Sequence, residues 1–222
     1  MFPSLFELHT SNGLATSEGE SFSHQQWKWN ETIGPLTKRP GRLGDWGYQN
    51  TDGIGLIEYF QWCDDLEVEP ILAVWAGLYL NNYQTPADVI PESELGPYVQ
   101  DVLNELEFIT GPADSTYGAI RASLGYPEPW KLTWVEIGNE DHIGDGPTSY
   151  TGYRYAAFQT AINEKFPNLR VMSSTGDFTA VSPGSATDFH EYARPDLMAG
   201  QFGYFDNRVT AEHPTLIGEY VS

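Results

Sequence analysis

Cysteine is nearly missing from this 222-residue chain: Cys63 stands alone, so no disulfide can form within it. Basic residues are scarce as well, 11 Lys and Arg against 31 Asp and Glu, for a net charge of −20. A surface of that sign does not neutralise phosphates, so no nucleic-acid partner is expected. It is also repelled by anionic membranes, and no stretch approaches the roughly 18 apolar residues of a membrane-spanning helix. The opening text, MFPSLFELHTSNG, has neither a basic start nor a long apolar run, so it does not read as a secretory signal. CxxC, HExxH, GxSxG and the Lys-Ser/Thr of a phosphate loop are all absent. His24, His142, His190 and His213 share no ligand spacing, so neither metal nor cofactor is expected. Cys63 lies in helical text beside Trp62 and Leu66 and reads as a buried, inert thiol rather than a nucleophile.

What is present suits a folded domain that handles something neutral. The chain is 40% apolar, enough for a sizeable core, and its 14% of aromatics serve core packing or sugar stacking equally well. A carbohydrate tolerates so acidic a surface. Residues 1–26 are polar and without period, and read as a poorly structured N-terminal segment. Trp27 to Asn50, WKWNETIGPLTKRPGRLGDWGYQN, mixes Gly, Pro and aromatics as no element interior does, so a long functional loop is expected. Asn30-Glu31-Thr32 is an acceptor sequon for N-glycosylation.

From there on, strand and helix text alternate. Asp52 is placed to cap a helix over 53–66, with Ile54, Ile57 and Phe60 on one face. VEPILAVWA (68–76) is short, apolar and β-branched, as a strand buried on both faces should be. A helix over 91–109, a strand at LTWVEIGNE (132–140), a helix over 150–166 and a strand at LRVMSS (169–174) follow. ATDFHEYA (186–193) reads as a strand or strand end, 195–205 as a short helix, and PTLIGEY (214–220) as a final strand. Alternation of this kind predicts an α/β fold built on a parallel sheet.

Two of those strands end in a carboxylate: Gly138-Asn139-Glu140 and Gly218-Glu219. In a parallel barrel, the C-terminal strand ends form the active face. Glycoside hydrolysis needs two facing carboxylates there, one protonated to assist the departing oxygen and one ionised. Either Glu alone reads more simply as a solvated surface residue, and it is the pair on two strand ends that points to catalysis. His190 is open to a second reading, as a hydrogen-bonded core histidine.

In order along the chain, WKWNETIGPLTKRPGRLGDWGYQNTDGIGLIEYFQWCDD, EPILAVWAG, VEIGNED, DFHEY and GEY resemble the fungal type of glycoside hydrolase family 51, the α-L-arabinofuranosidases. The resemblance runs from Trp27 to the end. It implies that Glu140 is the acid/base and Glu219 the nucleophile of a retaining (β/α)8 enzyme. It further implies that Asn139 contacts the sugar 2-hydroxyl, that His190 and Tyr192 line the site, and that Trp75 walls the pocket. Trp29 is the expected aromatic wall in the substrate-side loop. The implied substrate is arabinan, arabinoxylan or an arabino-oligosaccharide, and the implied location extracellular. The family's upstream Gly-Gly-Asn segment, strand eight and β-sandwich find no counterpart in this text. The expectation is therefore an incomplete TIM barrel over 27–222, lacking the first part and strand eight, weakly stable and poorly active. Another retaining barrel glycanase, or an inactive carbohydrate-binding fragment, remain the alternatives.

Overall fold

A computed structural model describes residues 5–8, 21–44, 47–81, 88–176, 185–206 and 208–221. Strands β1 (Leu5–Leu8), β4 (Glu69–Val74), β7 (Trp134–Ile137), β8 (Arg170–Ser173), β9 (Ala186–Tyr192) and β10 (Thr215–Val221) form one six-stranded sheet in that order, every pairing parallel. Two short ribbons stand apart from it: β2 (Arg42–Leu43) with β3 (Gln49–Asn50), and β5 (Leu78–Tyr79) with β6 (Asp88–Val89). Helices α1 (Leu56–Leu66), α2 (Gly96–Thr110), α3 (Thr116–Ser123) and α5 (Tyr155–Lys165) fall between the strands of the main sheet.

Alternation along the strands explains two separate cores. Leu72 and Val74 of β4, Val135 and Ile137 of β7, and Val171 of β8 pack with Leu56, Phe60, Leu106, Phe108, Phe158 and Ile162 of the helices. Ile71, Met172 and Ala186 form a smaller cluster with Trp134 and Leu216 on the opposite face. Burial on both faces is the state the continuous apolar text of 68–76 required.

Several expectations need correcting. Leu5–Leu8, inside the segment read as poorly structured, pairs with Glu69–Leu72 as a parallel strand. Four residues in polar surroundings carry too little period to reveal that, and the partner strand decides it. Residues 9–20 lie outside the described residues. Asp52 does not cap α1: it pairs with Arg42, while Thr32 Oγ1 accepts from Leu56 N at 3.1 Å and Glu58 accepts from Gly55 N at 2.8 Å. Ile54 precedes the helix and is exposed; the buried stripe is Leu56, Ile57, Phe60 and Cys63. The helix expected over 150–166 is two pieces, a π-helical turn (Tyr150–Arg154) and α5, and a short helix α4 (Gly146–Ser149) runs directly into it.

The Trp27–Asn50 segment is irregular, as its composition predicted, and buried charge holds it in place. Arg39 donates through Nη1 and Nη2 to the Glu58 carboxylate at 2.9 and 2.7 Å, and through Nε to Gly34 O at 2.9 Å. A planar fork of this kind fixes orientation as well as distance. Cys63 is buried, and desolvation pushes its thiol up to about 11, the inert state expected of it.

Candidate active site

The strands of the main sheet run parallel, so their C-terminal ends share one rim. Strand β7 stops at Ile137, and the next three residues turn out of the sheet. Gly138 holds φ +90° and still donates to Val74 O at 2.8 Å. A side chain at Gly138 would collide with the Asp141 carboxylate, so only glycine fits. Glu140 itself is left-handed, φ +48°, which an L-residue adopts at a cost of roughly 1–2 kcal/mol.

Strand β9 presents Asp188, His190 and Tyr192 at alternate positions, hence on one face. Glu219 of β10 pairs with His190, after an irregularity in register between Leu216 and Glu219. Gly218 N, inside that irregularity, donates to Asp188 Oδ1 at 2.8 Å. A bulge re-aims the residues that follow it, and this one sets Glu219 beside His190.

The side chains converge. His190 Nδ1 is 3.2 Å from Glu140 Oε1 and 3.7 Å from Glu219 Oε2, and its Nε2 is 2.6 Å from Asp188 Oδ2. One oxygen of each glutamate and a ring nitrogen of His190 all lie within 4.8 Å of one another. The Tyr192 hydroxyl donates to Glu219 Oε2. The Glu140 and Glu219 side chains are 14% and 24% exposed, open enough to be reached, while Asp188 and His190 are covered.

Charge completes the description. Burial opposes a charge on His190, yet hydrogen bonds to Asp188 and Glu140, with Glu219 close by, raise it to about 10. A value raised so far favours the imidazolium at neutral pH, in which both ring nitrogens donate. Glu140, His190 and Glu219 could each offer one ligand atom to a cation at this point.

The remaining expected site residues fall differently. Asn139 is at the strand end and buried. Trp75 directly follows β4 but is 6% exposed; its indole N–H donates to Leu78 O at 2.7 Å and its ring lies 4.5 Å from that of Tyr79. Trp29 is 3% exposed, 5.3 Å from the Phe108 ring and 5.9 Å from Tyr117, and donates from Nε1 to Asp101 at 3.3 Å. It packs in the core against α2 and α3, and with Trp75 it lines a small cavity beside Tyr98 and Asp101. Asn30 is exposed on the 3-10 turn Trp29–Glu31. Asp188 and Asp141 were not singled out in the sequence. The alternation D-x-H-x-Y was the available signal for Asp188.

A family model described as the alpha-L-arabinofuranosidase 1 domain matches residues 13–210. The chain belongs to that family. It is 50% identical over 208 residues to alpha-L-arabinofuranosidase A of Aspergillus niger, covering 91% of this chain and 32% of that protein. It is likewise 50% identical over 200 residues to a probable alpha-L-arabinofuranosidase A of Aspergillus terreus, covering 88% of this chain and 31% of that one. An arabinose-bound GH51 α-L-arabinofuranosidase superposes with a TM-score of 0.85 at 39% identity, over 98% of this chain and 33% of the other. The Thermotoga petrophila GH51 enzyme, at 20% identity and a TM-score of 0.62 over 85% of this chain and 36% of its own, shares the fold. The chain thus spans about a third of the length of the relatives it matches. Within the family, a parallel sheet flanked by helices fits an incomplete α/β barrel, and Glu140, His190 and Glu219 meet at one rim of it.

Proposed function

We propose that the chain carries the two catalytic carboxylates of a retaining α-L-arabinofuranosidase, Glu219 as nucleophile and Glu140 as acid/base. The observation that carries the reading is the separation of the pair: an oxygen of each lies within 4.8 Å of the other, with His190 between them. Retaining glycosidases hold their carboxyl groups about 5–5.5 Å apart, whereas inverting ones leave about 6.5–9.5 Å for a water. Glu219 attacks the anomeric carbon while Glu140 donates its proton to the departing oxygen. The bond to the aglycone breaks and a glycosyl ester on Glu219 forms. Glu140 then takes a proton from water, which attacks the same carbon and frees both arabinose and the carboxylate.

Tyr192 orients Glu219 through its hydroxyl, which donates to Oε2. His190 stands between the two carboxyl groups and contacts both, and Asn139 is the amide assigned to the sugar 2-hydroxyl. No cofactor enters this scheme. The substrate is a terminal α-L-arabinofuranosyl group on arabinan, arabinoxylan or an oligosaccharide, met outside the cell. Among the described residues no helix is long and apolar enough to cross a membrane.

Low turnover by the chain alone is part of the reading. The described sheet has six strands rather than eight, and Ile217, Tyr220 and Val221 of its β10 edge are exposed. That edge is the specific support for the second reading, a fragment that binds carbohydrate without cleaving it. One experiment separates the two. A 2-fluoro-arabinofuranosyl donor with a good leaving group should label Glu219 one to one, and peptide mapping should find the added mass there. Labelling elsewhere sinks the nucleophile assignment; glycan binding without label, unaffected by Glu219→Gln, supports the binding fragment.

A further inference from the structure

The turn that carries Glu140 leaves the ladder after Gly138, and Asp141 takes over there. Its buried carboxylate accepts from the backbone N–H of Asn139 and from Ser174 Oγ at 2.8 Å, and pairs with Arg154. Arg154, fully buried, also donates to Ala76 O and Gly146 O at 3.0 Å each and to Ser149 Oγ at 2.9 Å. Those partners lie just beyond β4, at the start of α4 and at its end. Both halves of the arrangement come from one anomaly in the helix. Arg154 closes the π-helical turn Tyr150–Arg154, and Tyr150 opens it. The Tyr150 hydroxyl donates to Ile137 O, at the end of β7, and accepts from Ser174 N at 3.1 Å, just past β8. π-turns of this kind are frequent at functional sites, because one extra residue re-aims the side chains on either side of it.

A buried ion pair is a poor choice for stability alone, since apolar groups of similar volume do as well or better. Here the pair sits directly after a strained residue whose carboxyl must point at His190. We infer that Asp141, held by Arg154 from the π-turn, is a positioning residue. It fixes the left-handed backbone of Glu140 and thereby aims that carboxyl at His190 and Glu219. The inference rests on the reading above only in taking Glu140 as the acid/base.

The test is Asp141→Asn in the full chain, with Glu140→Ala beside it. A crystal structure of Asp141→Asn should show Glu140 out of the left-handed region and its carboxyl no longer in contact with His190. If φ stays near +48° and the 3.2 Å contact survives, the inference is overturned whatever the activity. Kinetics supply a second readout that general loosening would not move. Acid assistance matters most for poor leaving groups, so kcat/KM should fall about tenfold or more further on an unactivated aryl arabinofuranoside than on an activated one. An equal fall on both counts against positioning. Glu140→Ala must show the same leaving-group pattern; if it does not, the fault lies with the acid/base assignment. Arg154→Lys is the second variant if Asp141→Asn does not fold. It keeps the charge and loses the fork, and should give the same displacement of Glu140; an undisturbed Glu140 overturns the inference.

Discussion

His190→Gln should change how stability depends on pH, and the size of the change follows from the geometry. Asp188 and Glu140 hydrogen-bond the ring, Glu219 lies 3.7 Å away, and together they overcome burial to raise the imidazole from 6.5 to about 10. A folded-state value above the unfolded one means that folding takes up a proton. The stabilisation is therefore complete below about pH 6.5 and is lost as pH rises through about 10. Between those limits the slope approaches about 1.4 kcal/mol per pH unit. Removing the ring removes the slope. The stability advantage of the unsubstituted chain over His190→Gln should accordingly shrink by about 3 kcal/mol between about pH 6.5 and 9. The groups facing the ring are Asp188, Glu140 and Glu219, with the Tyr192 hydroxyl on Glu219. Buried Glu105, also raised well above its ordinary value, titrates in both proteins and cancels in the subtraction. Urea unfolding at four pH values measures the difference directly. Stability curves that run parallel across that range would refute a charged His190.

Three further outcomes follow from single contacts. Gly138→Ala puts a methyl group into the Asp141 carboxylate at φ +90°, and should cost about 2–4 kcal/mol of stability; a change below about 0.5 kcal/mol in thermal unfolding would contradict that crowding. Cys63, buried and pushed up to about 11, should resist iodoacetamide at about pH 8 in the folded chain and react once urea exposes it. Trp29→Ala should cost about 3–5 kcal/mol of stability, as core aromatics do. A rise in KM with stability unchanged would instead place Trp29 in the substrate pocket.

How much could be read in advance depended on where each residue's partners lie. β4 was legible because 70–74 are buried on both faces and the text there is continuously apolar. Glu140 and Glu219 were legible because strand ends have a fixed meaning in parallel sheets. β1 was not, since four residues become a strand only through Glu69–Leu72. α3 escaped notice because its start depends on Ser115 Oγ accepting from Gly118 N, a cap without a clear apolar stripe behind it. Trp29 and Trp75 were loosely placed for one reason: an aromatic in irregular text has no period to say which way it faces. The π-turn could not be read at all. It is an extra residue in a helix whose justification, Asp141, lies 13 positions before Arg154.

The two glutamates are aimed by different devices with a common chemistry. Glu140 stands on a strained turn gripped through Asp141; Glu219 stands after a bulge gripped through Asp188. Each aspartate is buried, each accepts the backbone N–H of the residue directly before the glutamate it serves, and each faces a basic side chain, Arg154 or His190. Asp188 therefore acts twice, on the imidazole through Oδ2 and on Gly218 through Oδ1. Asp188→Ala should lower the His190 proton affinity and loosen Glu219 together, whereas His190→Gln should leave the Gly218 contact standing. A double-mutant cycle over the two positions separates them. If Asp188 worked only through His190, the double variant would be no worse than His190→Gln alone; the Gly218 hydrogen bond predicts a further loss of about 1.5–3 kcal/mol, the usual worth of a hydrogen bond to a charged acceptor.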